Sequence, residues 1–241
     1  MEPAPTENAL LGGRVRLLQP PRGYRVAVDA VLLAAAIDAS PGDRVLDLGA
    51  GVGAVGLCLA ARIPGCTIVG IELQPGLAGL AVRNAALNGA EGRVQTIVHD
   101  LAQPLPPDLV GFDHVATNPP YLAAAVADPS PDRSKALATV ESSADLARWL
   151  AVAVDALKPT GTLTIIHRSD RLEEIVDHLV RLGCGDVTVK PLPPAARVLV
   201  RARRAEVPVR RSSPPLLLHR QEGGYTDDAE AILRHAAPLA F

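Results

Sequence analysis

Asn118-Pro119-Pro120-Tyr121 is the run with the most chemistry in this chain. It follows an apolar stretch, Phe112 to Ala116, that reads as a buried strand. Two consecutive prolines cannot continue a sheet ladder, because each lacks a backbone N–H. They hold the chain extended beyond the strand and keep the preceding residue out of the helical region. The strand end therefore presents an amide side chain, a carbonyl uncommitted to a helix, and an aromatic face. Those parts can grip a planar –NH2 group. The competing reading is a Pro-rich turn with an ordinary turn asparagine. On this run alone the two weigh about evenly.

Residues 44–56 shift the balance. They read Arg-Val-Leu-Asp-Leu-Gly-Ala-Gly-Val-Gly-Ala-Val-Gly. Val45 to Leu48 reads as a short buried strand, Gly49, Gly51 and Gly53 as a tight turn, and Ala54 to Arg62 as a helix. Strand, glycine turn and helix start together form a nucleotide-binding crossover, because glycine lets backbone approach a ligand closely. A second strand, Thr67 to Ile71, ends in Glu72, where a carboxylate can accept both hydroxyls of a ribose. Asp100-Leu101 follows a later strand and can clasp an adenine ring between a carboxylate and an apolar side chain. A solvated helix-cap carboxylate at Glu72 and a simple turn at Asp100 are the plainer alternatives.

Gly51 to Gly56 also satisfies the dinucleotide fingerprint, with an acid about 20 residues on. A NAD-dependent oxidoreductase is therefore a rival of a different class. Asp47, just before the glycines, would face an incoming pyrophosphate but can pair with the amino group of a methionine-like moiety. Hydride transfer also has no evident use for Asn-Pro-Pro-Tyr. S-adenosylmethionine is thus favoured over NAD.

The elements that must position these residues alternate. The patterning predicts strands at 44–48, 67–72, 93–99, 112–117 and 162–167, with helices at 53–62, 75–88, about 142–157 and 170–182. Such alternation implies an α/β fold, a parallel sheet with helices on both faces. Two further strand candidates, 186–190 and 197–203, flank Pro191 to Pro194 and would add an antiparallel edge hairpin. Before the sheet, Met1 to Leu10 is expected to be frayed. Arg14 to Gln19 alternates and would pair with residues 23–26, and a helix is expected from Val28 to Ala39. This gives a hairpin-and-helix unit over 1–40 packed on a catalytic domain over 41–241. Asp47, Glu72, Asp100 and Asn118 all fall at the carboxyl ends of successive strands, where ligands bind in such sheets. Residues far apart in the chain would then meet in one crevice.

Composition narrows the rest. The chain has 241 residues, 48% of them hydrophobic, and a formal net charge of −2. It can bury one substantial core, and an acidic partner must be met by a local patch rather than by the overall field. Cys58, Cys66 and Cys184 are scattered without ligand spacing, which fits a reducing cytoplasm and no metal site. No signal peptide is read, and the apolar stretch from Val26 to Ile37 is too short for a bilayer and is interrupted by Asp29. No membrane association is expected. The basic residues Arg197, Arg201, Arg203, Arg204, Arg210 and Arg211, with Arg14, Arg16, Arg22 and Arg25, can track phosphates or form a solvated face. Tyr121 is placed to stack on a base, whereas Tyr24 and Tyr225 read as core residues. The long loop Ala123 to Ala138 fits either a site mouth or disorder. His99 and His167 read as structural.

At these residues the chain resembles the class I S-adenosylmethionine methyltransferases that modify exocyclic or amide nitrogens. More narrowly, it is similar to the bacterial tRNA adenine-N6 methyltransferases that act beside the anticodon of a valine tRNA. The matching segments are Gln19 to Arg25 with Val28 to Leu33, Asp47 to Gly53, Glu72 with Asn84 and Asn88-Gly89, Asn118 to Tyr121, and the tail at Leu218-His219 and Tyr225-Thr226. The resemblance implies a Rossmann-like fold with a mostly parallel seven-stranded sheet. It implies that Asp47, Gly49 and Gly51 hold the methionine part of S-adenosylmethionine, that Glu72 takes the ribose, and that Asp100 with Leu101 takes the adenine. Asn118, Pro119, Pro120 and Tyr121 would hold the target base, with Tyr24 and Arg25 also on the substrate side. The partner would be RNA, in a monomer or homodimer. The alternative acceptors are a release-factor glutamine amide and a ribosomal guanine N2. The first family usually carries a helical domain before its glycine turn, and the second more often has Phe at the position of Tyr121.

Overall fold

The computed structural model describes residues 4–23, 25–121 and 143–241. At its centre is an eight-stranded sheet of β3 (Arg44–Leu48), β4 (Thr67–Glu72), β5 (Val94–Val98), β6 (Phe112–Thr117), β7 (Leu157–Arg168), β8 (Cys184–Pro191), β9 (Arg197–Arg203) and β10 (Ala205–Ser212). Their order is β10-β8-β9-β7-β6-β3-β4-β5. Strands β3 to β7 run parallel, β9 is antiparallel to both β7 and β8, and β10 is parallel to β8. The central strands are buried on both faces and so read as continuous apolar runs.

Helices cover both faces. Val45, Ile68, Ala116 and Leu199 pack with α1 (Val28–Ala36), α2 (Ala54–Arg62) and α6 (Asp227–His235). Leu46, Leu48, Val115 and Leu163 pack on the other side with α4 (Leu146–Ala156) and α5 (Leu172–Arg181). Helix α3 (Pro75–Leu87) lies against β5 and the N-terminal strand Val15–Gln19. Among the described residues no helix is long and apolar enough to cross a membrane.

Three expectations about strands are corrected. The sheet has eight strands rather than seven. The additional one, β10, reads in sequence only as an arginine-rich stretch because nearly all of it is exposed. It contains Pro208, which a central strand would not tolerate but an edge strand does. Second, the antiparallel pair β8 and β9 does not form the edge, because β10 pairs with β8 and takes the edge instead. Third, residues 6–10 are not frayed: β1 (Thr6–Leu10) pairs with β2 (Val15–Gln19), in place of the partner expected at 23–26. Strand β1 is almost wholly exposed and lacks apolar alternation, so no hydrophobic pattern marks it.

Helix α1 also stops at Ala36, short of Ala39. Its final carbonyls are taken by arginines from other elements. Arg62 donates to the Ala34 carbonyl, and Arg201 donates to that of Ala36 at 2.7 Å. These side chains satisfy orphan acceptors and place positive charge at the negative end of the helix.

Strand β2 is held to the sheet layer by Asn84 of α3 and by Asn88 just beyond its end. Asn84 accepts from Leu18 N at 2.7 Å and donates to Leu18 O and Val52 O, each at 3.0 Å. Asn88 accepts from Arg16 N at 2.8 Å and donates to Arg16 O at 2.7 Å. Each amide thus acts as one rung of a sheet ladder, and Asn84 also fastens the hairpin to the glycine turn.

Candidate active site

The turn after β3 folds onto the end of β4. The amides of Gly49 and Ala50 both donate to the Ile71 carbonyl, at 2.8 and 2.9 Å. Gly49, at φ 76°, has no room for a side chain: a Cβ there would come within 2.6 Å of the Trp149 ring. Gly51 also has positive φ, 57°, but a Cβ would meet nothing within 4 Å, so its backbone borders open space. Glu72 accepts from Gly51 N and Gln74 N, each at 2.8 Å, and is thereby aimed beside the turn.

Asp100 follows β5. Its Oδ1 accepts from Ala102 N at 2.9 Å and from Ser143 Oγ at 2.7 Å. Arg148, at the start of α4, donates to the carbonyls of Leu101 and Gln103, at 2.7 and 2.9 Å. The loop that carries Asp100 and Leu101 is therefore fastened to α4, the helix that also supplies Trp149. Asp145 caps this helix, accepting from Arg148 N at 2.8 Å.

A single crevice results. Gly49, Gly51, Glu72, Asp100, Leu101, Asn118, Pro119, Pro120, Tyr121 and Trp149 all line it. The sequence expectation that strand-end groups meet is met for Glu72, Asp100 and Asn118. Asp47 is not on the lining; it is buried just behind, 2% exposed, with Oδ2 lacking any hydrogen-bond partner. Burial first, and then the nearby Glu72 charge, push its carboxyl up to about 7. Burial also raises Glu72, against the lowering effect of the Gln74 and Gly51 amides.

The Asn-Pro-Pro-Tyr run is braced from behind. The Tyr121 hydroxyl lies 2.7 Å from Asp29 Oδ2 on α1 and 2.7 Å from the side-chain oxygen of Asn118. Arg197, at the start of β9, places its guanidinium 4.4 Å over the Tyr121 ring and its Nε 3.1 Å from Asp29 Oδ2. His167 meets the same ring edge-on at 5.3 Å, with Nε2 3.4 Å from the Pro120 carbonyl. Burial lowers this imidazole to about 4. It is neutral near pH 7, and the carbonyl partner assigns the proton to Nε2, which donates to Pro120 O.

Other expected site residues stand apart. Tyr24 and the loop at 123–138 lie outside the described residues. Arg25 is spent within the N-terminal hairpin, donating to Thr6 Oγ1, Asn8 Oδ1 and the Pro20 carbonyl. The basic stretch does not form one continuous face. Arg197 packs behind the crevice on Tyr121 and Asp29, Arg204 donates to Val154 O, and Arg210 pairs with Glu173.

Sequence reasoning did not find Trp149, Arg148, Ser143 or the bracing by Asp29 and Arg197. Two signals were present: the sole tryptophan of the chain, and an acid interrupting the apolar run that becomes α1. Neither carries its meaning without the tertiary contact.

The crevice fits S-adenosylmethionine. An orphaned, buried carboxylate oxygen at Asp47 suits an ammonium, the Glu72 carboxylate suits a diol, and bare backbone at Gly51 allows close approach.

Comparison with known proteins agrees. The family model for the methyltransferase small domain matches residues 25–181. The tRNA1(Val) (adenine(37)-N6)-methyltransferase of Porphyromonas gingivalis is 30% identical over 218 residues, covering 85% of each chain. The release factor glutamine methyltransferase of Rhodospirillum rubrum is 34% identical over 184 residues, covering 73% of this chain and 54% of that one. A crystal structure described as that of a predicted O-methyltransferase from Agrobacterium tumefaciens superposes with a TM-score of 0.72 at 24% identity, over 88% of this chain and 99% of the other. That likeness speaks for the fold. With the family model spanning more than half of the sequence, the chain belongs to the methyltransferase small-domain family.

Proposed function

We propose that this protein transfers a methyl group from S-adenosylmethionine to the exocyclic N6 amine of an adenine in tRNA, in the anticodon loop, in the cytoplasm. The observation that carries this reading is the placement of Asn118 to Tyr121 on the same crevice wall system as Glu72 and Asp100. An amine-gripping group and a nucleoside-gripping group then face one space. RNA is favoured over protein glutamine by the likeness to the Porphyromonas enzyme, which extends over 85% of both chains. The glutamine methyltransferase is matched over about half its length. It shares the nitrogen-methylating chemistry and keeps that acceptor as the second reading.

When bound, the cofactor supplies an electrophilic methyl group on a positively charged sulfur. Asp47 holds the ammonium end, Gly49 and Gly51 give backbone access, Glu72 takes the ribose hydroxyls, and Asp100 with Leu101 takes the adenine. An aromatic amine is a poor nucleophile because its lone pair is delocalised into the ring. The Asn118 side-chain oxygen and the Pro119 carbonyl each accept one N–H, which turns the lone pair toward the methyl group. Positive charge moves onto the amine as it reacts, and preorganised carbonyl dipoles stabilise it there. Positioning supplies much of the remainder. The target base leaves its stack, and Tyr121 replaces the lost stacking. Arg197 packs over that ring and holds it in place.

Proton counting defines a role for Asp29. A phenol carries one proton and cannot donate to both of its acceptors. The Asp29 carboxylate is the stronger acceptor. The Asn118 amide must then turn its NH2 to the phenol oxygen, which commits the amide oxygen to the crevice. The exchange is a half-turn of the amide, which moves no other atom. Asp29 thereby positions the acceptor that Asn118 offers to the target amine.

Replacing Asn118 by alanine tests the reading. The variant is expected to bind S-adenosylmethionine as wild type does while losing at least 100-fold in turnover, about the loss of a key transition-state hydrogen bond. Unchanged turnover would overturn the mechanism.

A further inference from the structure

The register of the last three strands assembles a second polar site. Arg211 of β10 is opposite Thr188 of β8, which is opposite Arg201 of β9, which is opposite Thr164 of β7. Residues directly opposite share a face, and neighbouring strands are about 4.8 Å apart. One pleat along, Arg203 is opposite Asp186. Asp186, Thr188, Arg201, Arg203, Arg211 and Ser213 line a bay of about 410 Å³, floored by sheet and walled by Phe241. None of these residues lines the crevice. Arg203 is six residues along β9 from Arg197, so the bay centres about 20 Å from Tyr121.

The bay is electropositive, and one of its groups lacks a partner. Asp186 neutralises Arg211 in an ion pair. Arg203 gives its Nε to Thr162 Oγ1 at 3.1 Å, and among the described residues it has no carboxylate within ion-pair distance. Arg201 is committed to capping α1 and lies 4.1 Å over the Phe241 ring, yet its charge borders the bay. Arg201 and Arg203 are close enough to repel, and only Asp38, on the far side, opposes this for Arg201. Lys190, next on the same face of β8, donates to Pro214 O at 2.7 Å beside Ser213. Ser213 is 7% exposed, and its Oγ has no hydrogen-bond partner. A buried hydroxyl without a partner costs free energy, so such a group asks for a ligand.

We propose that this bay binds a phosphate group. Arg203 and Arg211 supply guanidinium donors, Ser213 Oγ donates from the floor, and Arg201 and Lys190 add charge. Arginine forks match phosphate oxygens, and the bay has room for a sugar as well. The phosphate comes either from an RNA backbone or from a free phosphorylated small molecule. The site does not depend on which acceptor the crevice methylates.

The test uses inorganic phosphate titrated into the whole protein by calorimetry, with S-adenosylmethionine affinity as the control for folding. Wild type is expected to bind phosphate in the millimolar range. The Arg203→Gln, Arg211→Gln double variant is expected to lose at least tenfold, and Ser213→Ala severalfold. Asp186→Asn is expected to bind severalfold more tightly, which a purely structural role for the arginines would not produce. A salt titration of tRNA affinity then separates the sources. A slope in log–log form shallower by about 1.4 in the double variant, two lost phosphate contacts on a single strand, assigns the site to RNA. An unchanged slope with phosphate binding lost assigns it to a small molecule. Phosphate binding that is absent from wild type, or equal in the double variant, overturns the proposal.

Discussion

Asp47 is a buried carboxyl whose near charge among the described residues is another acid, Glu72, and under the proposed reading its protonation would couple cofactor binding to pH. Its folded pKa of about 7 is above the ordinary value of 3.8. The folded state therefore holds a proton that the unfolded state releases, so this group's contribution to stability falls as pH rises from about 4 to about 7. The total is on the order of 4 kcal/mol. His167 has the opposite sign: held down at about 4, it costs stability as pH falls below 6.5. The two effects oppose one another between pH 4 and 6.5, so melting curves are a poor readout for either. Cofactor affinity isolates Asp47, because only the carboxylate pairs with an ammonium. Affinity for S-adenosylmethionine is expected to rise about tenfold between pH 6 and 8. Asp47→Asn is expected to bind weakly with no such rise, and a pH-independent wild type would contradict the assignment. Asp29 makes a separate prediction. Asp29→Asn removes the charge that claims the Tyr121 proton, so turnover should fall by about 10–100-fold with cofactor affinity intact. A rise in KM alone would show instead that Asp29 serves substrate binding rather than the Asn118 amide.

At the scale of elements, what could be read in advance depended on what burial does to sequence. Strands β3, β4 and β6 are buried on both faces, so their apolar runs and following glycines or prolines marked them within a residue or two. Glu72 and Asn118 were legible for the same reason, since Glu72 ends β4 and Asn118 follows β6, whereas Asp100 follows the half-exposed edge strand β5 and was legible only through the alternation of elements. Strands β1 and β10 are exposed edges that bury little, and no periodicity betrays them. The α4 contribution was not legible either: Trp149 matters because the residue it covers, Gly49, is distant in sequence. Asn84 shows a third case, a polar residue at no exposure that holds three elements together. Asn84→Ala would leave a buried donor and two acceptors unpaired. A loss of about 2–4 kcal/mol is expected in urea unfolding, with cofactor affinity reduced through the slackened glycine turn. A loss below about 1 kcal/mol would show that the hairpin is held by its apolar contacts alone.

Across the whole molecule, the sheet works as a board with chemistry at one end. Its parallel strands deliver Asp47, Glu72, Asp100 and Asn118 to their carboxyl ends, and antiparallel β9 returns Arg197 to the same end. Helix α1 runs alongside β9, with Asp29 beside Arg197 and the Ala36 carbonyl beside Arg201. The strands that complete the sheet therefore also tie the crevice to the face carrying the arginine bay. The central claim is that this architecture methylates an adenine amine in tRNA. The most direct test is transfer of labelled methyl from S-adenosylmethionine to total tRNA, followed by digestion and nucleoside analysis. The account predicts label in N6-methyladenosine with wild type and almost none with Asn118→Ala. Cofactor binding without label in tRNA, accompanied by label on a release-factor glutamine, would contradict it.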